Sequence, residues 1–391
     1  MCGITGFWEA PARPEGELNE MARSMANAIA HRGPDDSGAW ADAQAGIALG
    51  HRRLSIIDLS PAGHQPMASS SGRFVMVFNG EIYNHLELRA ELEKSPHPEG
   101  VGEKLGWRGH SDTETLLAGF ERWGVGATLA KTVGMFAIAL WDVQQRTLHL
   151  ARDRFGEKPL YYGWAGSGAG RAFVFGSELK ALRAFPGFSN PVCQQALSQY
   201  MRFMYVPAPR SIYQGIYKLE PGCLLSIKGA APMAAPAQPL RPSAVYENLT
   251  LSRWWSLADV VQVGAHNLMN DEVEAVNVLE QRLSDAVKLQ SLSDVPLGAF
   301  LSGGVDSSAI VALMQQQATR PIKTFTVGFE EAGFDESPYA RAVAKHLGTD
   351  HTELFVTAAE AQAVIAQLPA MYDEPFADSS QIPTHLVCRA A

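Results

Sequence analysis

Four cysteines in 391 residues are too few for a disulfide framework in a chain this long. Cys2, Cys193, Cys223 and Cys388 lie far apart, form no CxxC pair, and do not cluster with histidines at metal-ligand spacing. The scarcity points to a reducing cytoplasm, with Cys193 and Cys223 as ordinary half-buried thiols. No apolar stretch approaches the roughly 20 residues a membrane helix needs. No Lys/Arg run is present, and the net charge of −9 argues against a nucleic-acid groove. The first residues, MCGITGFWEAPARPEGE, have no basic flank followed by an apolar run, so they do not read as a signal peptide. Charged residues make up only 19% against 46% hydrophobic, which excludes wholesale disorder and leaves a packed chain of two or three domains.

The first half alternates short strand patterns with two helical ones. β-forming runs occupy 73–78, 135–141, 147–151 and 172–176. The glycine-rich segment 166–170 joins runs 160–164 and 172–175, and no helix follows it, so it reads as a hairpin connection rather than a phosphate loop. Helical periodicity covers 17–30 and 113–123, the second opening on a Ser-Asp-Thr-Glu start signal. Residues 94–109 are rich in Pro, Gly and charge and read as a loop. The character changes near 190. Residues 191–255 read as a connecting segment, with an Ala/Pro-dense, disordered excursion at 229–242. Beyond it, helix 272–289, strand 297–301, helix 307–317, strand 323–327, helix 337–347 and strand 352–355 alternate. That order predicts a parallel sheet covered by helices. No internal repeat is visible.

Cys2 stands out by position. Methionine before a small residue is normally trimmed, which leaves Cys2 as residue one with a thiol and a free α-amine. An α-amine titrates near 7.7–8.0, so about neutral pH it can take the proton of its own thiol, and no histidine is needed. Gly3 keeps the approach uncrowded. A lone Cys at position two would be chance, but five ordered motifs accompany it: Met1-Cys-Gly-Ile-Thr-Gly-Phe-Trp8, His31-Arg-Gly-Pro-Asp-Asp36, His51-Arg-Arg-Leu-Ser-Ile-Ile-Asp58, Phe78-Asn-Gly-Glu-Ile-Tyr-Asn84 and Ser111-Asp-Thr-Glu114. Together they resemble the class II glutamine amidotransferase domain of the N-terminal nucleophile hydrolases, and specifically that of glutamine-hydrolysing asparagine synthetases. The resemblance covers about residues 2–190.

The resemblance implies roles. Cys2 is the nucleophile, and Asn79 and Gly80 match the oxyanion hole, where an amide and a backbone N–H donate to the developing charge. As a bare pair, Asn-Gly reads as a tight turn. Arg53 matches the residue gripping the glutamine α-carboxylate with a bidentate fork. Arg52 reads as a structural surface residue. Glu81 and Asp112 match the groups around the α-ammonium, although an isolated Asp112 would read as a helix cap.

Phe300-Leu-Ser-Gly-Gly-Val-Asp-Ser-Ser308 ends a predicted strand and opens a helix, a junction that aims N–H groups at an anion. Gly303 and Gly304 permit close approach, and Ser302, Ser307 and Ser308 add hydroxyls. Asp306 beside phosphates would repel them unless it holds a cation, which assigns it Mg²⁺. The Gly-Lys-Ser/Thr element of a Walker A loop is absent. The segment resembles the pyrophosphate-binding loop of ATP pyrophosphatases, with Leu301 part of the nucleotide-binding set. Family resemblance places Val327, in Thr324-Phe-Thr-Val-Gly-Phe329, on the adenine. Phe334-Asp-Glu-Ser337 and Tyr372-Asp-Glu-Pro-Phe-Ala-Asp-Ser-Ser380 also resemble the family. There, Asp373, Glu374 and Asp378 serve either the acceptor and a cation, or nothing more than a solvated loop.

The fold expected is a four-layer αββα hydrolase domain over 2–190, then a partial doubly wound α/β nucleotide domain over 256–391. Family members continue beyond this point into an acidic loop with a second metal carboxylate, so the second domain reads as incomplete. The implied reaction joins L-aspartate, ATP and L-glutamine through a β-aspartyl-AMP to give L-asparagine, with ATP and Mg²⁺ required, ammonia passed inside the protein, and a homodimer as the candidate assembly. Two other readings stand beside it. One is an amidotransferase acting on a sugar acid, peptide or secondary-metabolite precursor. The other is a glutaminase-only or non-catalytic form.

Overall fold

The computed structural model describes residues 1–10, 13–94, 106–167, 171–232, 234–329 and 335–391. The chain divides into two compact units, Met1–Val263 and Gly264–Ala391.

In the first unit the described strands form two antiparallel sheets. One runs in the order Ile216–Lys218, Tyr161–Ala165, Ala172–Gly176, Gly3–Glu9, Ile47–Arg53, Asp36–Asp42. The other runs Ala244–Tyr246, Leu249–Arg253, Cys223–Lys228, Thr147–Arg152, Gly134–Asp142, Phe74–Ile82, Met67–Ala68. Between them lies an apolar layer with Ile4, Trp8, Leu49, Val77, Trp141 and Leu150 from both sheets. The first sheet's outer face packs under helices Glu15–Asn27 and Leu179–Arg183 through Phe7, Leu18, Met25 and Leu182. The second sheet's outer face packs under His85–Lys94 and Asp112–Trp123 through Phe78, Leu88, Leu116 and Phe120. The result is the αββα layering, and the alternation of side chains along each strand produces it.

The expected runs 160–164 and 172–175 do pair antiparallel, Tyr161 with Gly176 through Ala165 with Ala172. The tip of their connection, 168–170, lies outside the described residues, as do 95–105 of the expected loop.

The structure departs from the expected organisation at 191–255. This segment is no connector. Ile216–Lys218 pairs with Tyr161–Ala165, Cys223–Lys228 pairs with Thr147–Arg152, and Leu249–Arg253 pairs with Cys223–Lys228. The strands are short and the intervening text is Pro-rich, so the composition shift marks loops between edge strands rather than a domain end. The described part of 229–242 is likewise packed. Ala231, Ala235 and Leu240 lie against the inter-sheet layer. Trp164 Nε1 donates to the Pro232 carbonyl at 2.7 Å, and Tyr217 donates its hydroxyl to the Pro236 carbonyl at 3.3 Å. Small apolar side chains let the backbone lie flat, and its carbonyls satisfy buried aromatic donors that would otherwise go unpaired. Cys223 is also fully buried in this layer rather than half-buried. All four cysteines are free thiols.

In the second unit, Gly298–Phe300, Lys323–Phe329 and Asp350–Val356 form a parallel sheet. Leu301, Val311, Ala340 and Ala344 pack one face under helices Val305–Gln317 and Ser337–Leu347. Val356, Val364 and Leu386 pack the other under Ala358–Ile365 and Gln381–Ala390. Helices on both faces of a parallel sheet are the doubly wound arrangement. No described helix is long and apolar enough to cross a membrane.

Candidate active site

Cys2 directly precedes Gly3–Glu9, a strand inside the first sheet flanked by Ala172–Gly176 and Ile47–Arg53. That strand is buried along its whole length, so the chain start is delivered to a fixed place. Two ties hold it there. The Cys2 carbonyl accepts from Arg32 Nε at 2.9 Å, and Arg32 pairs with Glu178 at 2.7 Å. The thiol sits against Leu54, donating to its carbonyl at 3.5 Å and accepting from its N–H at 3.4 Å.

Arg53, Asn79, Gly80, Glu81 and Asp112 line one cleft with Cys2. The Asn-Gly pair is not a turn. Asn79 and Gly80 are mid-strand, opposite Ala137 and Phe136. The run Phe74-Val-Met-Val-Phe carries the strand through the pair, and pairing with Gly134–Asp142 overrides its turn preference. Gly80 is required there, because a Cβ would collide with the Met135 carbonyl on the neighbouring strand. Asn79 is 1% exposed, and neither its amide oxygen nor its nitrogen has a partner. A buried, unsatisfied amide in a cleft wall is costly, and it suits a group waiting for a ligand.

Arg53, at 6% exposure, donates to the carbonyls of Asp58 and Ser60. Asp58 itself holds φ +58, a left-handed conformation steadied where its carboxylate accepts from Ser60 N–H at 3.1 Å and His110 N–H at 2.8 Å. Gly63 presses on the guanidinium so closely that a Cβ would overlap it. The fork is therefore fixed in direction. Arg52 turns away, donating to the Gly33 carbonyl at 3.1 Å.

Helix Asp112–Trp123 is capped by Ser111, whose hydroxyl accepts from Glu114 N–H at 3.2 Å. Asp112 is thereby released from capping. Its carboxylate accepts from Ile82 N–H at 2.9 Å and Thr113 N–H at 2.8 Å. Burial outweighs these bonds and raises its pKa to about 6. Burial also raises Glu81, with Asp112 adding to the effect. Two poorly solvated carboxyls on one wall favour a cationic guest. Burial raises the Cys2 thiol too, against the Leu54 N–H and the N-terminal cation. A thiol so placed needs a base, and none of the described residues lining the cleft is a histidine.

Three cleft groups went unread in the sequence. Leu54 supplies backbone to the thiol. Gln65 joins Phe78 N–H, at 2.7 Å, to Thr113. Lys158 lies in the wall at 4% exposure. It closes a loop knotted around Asp153, whose carboxylate accepts from Phe155, Glu157 and Lys158 N–H. Only the charged run before Lys158 hinted at it.

In the second unit the segment from Leu301 to Ser308 forms the predicted strand-to-helix loop. Leu301 N–H donates to the Phe325 carbonyl at 2.9 Å, fixing the loop at the sheet's C-terminal edge. Ser302 and Ser307 share a hydroxyl–hydroxyl bond of 2.9 Å, and Gly304 N–H donates to Ser302. Gly303 takes φ +79 and touches Tyr339, where a Cβ would come within 2.6 Å of the tyrosine Cβ. Ser308 carries a buried hydroxyl without a partner. Hydroxyls, a close-approach glycine and a helix N-terminus fit phosphates. Asp306 is exposed in the helix's first turn, and no group of three or more His, Cys, Asp or Glu able to hold a metal occurs among the described residues. Val327 lies on the adjacent strand, packed towards Val356 and Leu386. Phe334 lies outside the described residues, while Asp335 accepts from Ser337 N–H at 3.0 Å. Asp373, Glu374 and Asp378 sit on the connection between helices Leu368–Met371 and Gln381–Ala390, where Asp378 caps Ser380 N–H at 2.9 Å.

Comparison with known proteins matches residues 1–235 to a glutamine amidotransferase domain and residues 278–391 to asparagine synthase. A Mycobacterium bovis protein provisionally named a glutamine-hydrolysing asparagine synthetase is 38% identical across all of this chain and 57% of its own length. Asparagine synthetase 1 of Bacillus subtilis is 33% identical, again across all of this chain and 56% of its own length. Amidase chry2 of Gibberella zeae is 30% identical over 90% of this chain and half of its own. The chain thus spans slightly over half the length of the first two relatives.

Proposed function

Taking as premise that the chain belongs to the glutamine-hydrolysing asparagine synthetase family, we propose that its first unit releases ammonia from L-glutamine and its second directs ATP-dependent amidation of a carboxylate, L-aspartate in the first instance. The observation that carries this is the single cleft gathering Cys2, Arg53, Asn79, Gly80, Glu81 and Asp112 from separate segments.

In this reading Met1 is removed and the Cys2 amine takes the thiol proton. The sulfur attacks the side-chain amide carbon of glutamine. Asn79 Nδ2 and the Gly80 N–H donate to the oxyanion, and removing one such donor elsewhere costs about 100- to 1,000-fold in rate. Collapse to a thioester expels ammonia, to which the amine returns the proton, and water then releases glutamate. Arg53 meets the α-carboxylate as a fork. Glu81 and Asp112 accept from the α-ammonium.

In the second unit, Leu301, Ser302, Gly303, Gly304, Ser307 and Ser308 would bind the ATP phosphates, and Asp306 would reach a Mg²⁺ held between them. Such an ion needs only one or two protein carboxylates. Val327 would border the adenine. The acidic trio at 373–378 would face the acceptor. ATP activates the acceptor carboxylate for attack by ammonia, with release of pyrophosphate.

The test is Cys2→Ala in processed protein, with N-terminal sequencing to confirm Met1 removal. Glutamine hydrolysis should vanish while the fold is kept. Full hydrolysis by Cys2→Ala refutes the nucleophile assignment, and full hydrolysis by protein retaining Met1 refutes the assignment of the Cys2 amine as base. A second reading, another acceptor, is favoured by the relative named an amidase. Pyrophosphate release across a panel of carboxylates decides between them.

A further inference from the structure

Lys158 belongs to none of the roles above, yet it lies in the cleft wall beside Cys2 and Glu81. Its side chain is buried, at 4% exposure. Its Nζ donates to the Met1 thioether at 2.9 Å, and no carboxylate is paired with it among the described residues. A thioether is a weak acceptor, so a buried ammonium gains little from it. Removal of Met1 would take even that partner away and leave the Lys158 ammonium without a partner in the cleft that Cys2 also lines.

We propose that Lys158 is the cation that keeps the α-amine of processed Cys2 in its unprotonated, base-competent form. This rests on the reading that the Cys2 amine is the base. Burial lowers the pKa of Lys158 itself as well; two ammonium groups in one poorly solvated pocket repel, so the charge of Lys158 disfavours protonation of its neighbour. A neutral amine, by contrast, can accept a hydrogen bond from it. The lysine acts through the amine and does not touch the glutamine.

Two cations lie near the chain start. Arg32 acts on the amine there more than Lys158 does, but Glu178 pairs with it, whereas Lys158 has no carboxylate partner among the described residues. Glu81 and Asp112 stand on the opposite strand and helix, and Arg53 is turned to the Asp58 and Ser60 carbonyls. Glu157 and Asp153 share the lysine's own loop, where Asp153 is occupied with backbone N–H groups. At the Met1 amine of the unprocessed chain, burial is the main influence favouring the neutral form, with Arg32 and Lys158 adding to it and Cys2 and Glu81 opposing it.

The experiment compares the parent with Lys158→Met and Lys158→Arg in two arms. The first is the pH profile of glutamine kcat/KM. The second is competitive acetic-anhydride labelling of the chain-start amine in a Cys2→Ala background, read by mass spectrometry, which needs no turnover. Lys158→Met should move the acid limb and the labelling midpoint up by about one pH unit, the usual scale for a lost charged neighbour. Turnover near pH 6 should then fall about tenfold and recover as pH rises. Lys158→Arg should hold both near the parent. A labelling midpoint unmoved in Lys158→Met overturns the proposal. So does a Lys158→Arg variant as impaired as Lys158→Met, since arginine keeps the charge but cannot serve as a base. If the midpoint moves while the parent hydrolyses no glutamine, Lys158 keeps its role and the glutaminase reading falls.

Discussion

Replacing Asn79 with alanine should make the first unit more stable and its chemistry far slower. Asn79 is 1% exposed and both amide atoms are unpartnered. An unsatisfied buried polar group costs about 1–3 kcal/mol, and truncation removes that cost. The void left behind opens into the cleft beside Cys2, so water can enter and the penalty of an empty cavity is small. The expected net is a gain of about 1–2 kcal/mol in unfolding free energy, after a small allowance for lost packing. Catalysis moves the other way, because in the proposed mechanism the same amide is the side-chain donor to the oxyanion. Its loss should lower kcat by about 100- to 1,000-fold, or roughly 2.7–4 kcal/mol of transition-state stabilisation. Urea unfolding followed by tryptophan fluorescence, with Trp8 and Trp141 buried in this unit, reads the first quantity, and glutamate release reads the second. Asn79→Asp is the companion variant: it keeps the shape but puts an acceptor where a donor is needed, and should be at least as slow. Near-normal kcat in Asn79→Ala, or a stability loss above about 1 kcal/mol with kcat retained, would show that the amide is structural and refute the reasoning.

Other consequences follow from the same geometry. Arg53→Lys should weaken glutamine use by about 1–3 kcal/mol, seen mainly in KM, because an ammonium cannot reproduce the planar fork; unchanged KM removes Arg53 from the site. Asp112, with a pKa of about 6, should make glutamine KM fall as pH rises through 6 and the carboxylate forms to meet the ammonium; Asp112→Asn should flatten that dependence. His51 is fully buried and its pKa is lowered to about 4, so on unfolding it takes up a proton anywhere between 4 and its ordinary 6.5. Stability is therefore fully present above 6.5 and lost as pH falls through that window, by about 3 kcal/mol, and acid denaturation of a folded His51→Gln variant should lack that share of the loss. Gly303→Ala should destabilise the second unit by about 1–3 kcal/mol and weaken ATP binding, because its φ of +79 and the nearby Tyr339 both exclude a Cβ; calorimetry reads both effects.

Local patterns transmitted well from sequence to structure where chemistry or periodicity acts over a few residues. The expected runs at 135–141, 147–151 and 172–176 lie within strands Gly134–Asp142, Thr147–Arg152 and Ala172–Gly176. The helix expected at 272–289 is Glu272–Gln290. The Ser111 start signal is a working cap. What failed to transmit was decided at long range. Asn79-Gly80 has the local preference of a turn, and only the facing strand makes it part of a ladder. Residues 216–253 carry strands of only three to six residues amid proline and alanine, and nothing local says that Ile216–Lys218 will find Tyr161–Ala165.

The same distinction explains the cleft. The sequence motifs name groups that a substrate would touch, so Arg53, Asn79, Gly80, Glu81 and Asp112 could be placed by matching motifs in order. Groups that act on other protein groups leave weaker marks. Arg32 reaches the Cys2 carbonyl because Glu178, 146 residues further along the chain, is folded against it, and Lys158 reaches the chain start because Asp153 gathers four N–H groups, Phe136 and Lys158 among them, and knots the loop. Each depends on a partner more than a hundred residues away in sequence or on a backbone knot that composition does not encode. A nucleophile at a chain end makes this support necessary, since a terminus frays unless it is tied down. Cys2 is held by its carbonyl to Arg32, by its sulfur to Leu54, and by Gly3–Glu9 to strands on both sides. The positioning of Cys2 therefore resides in the fold of the whole first unit, and loss of the Arg32–Glu178 tie should loosen the proposed nucleophile without altering any group proposed to contact glutamine.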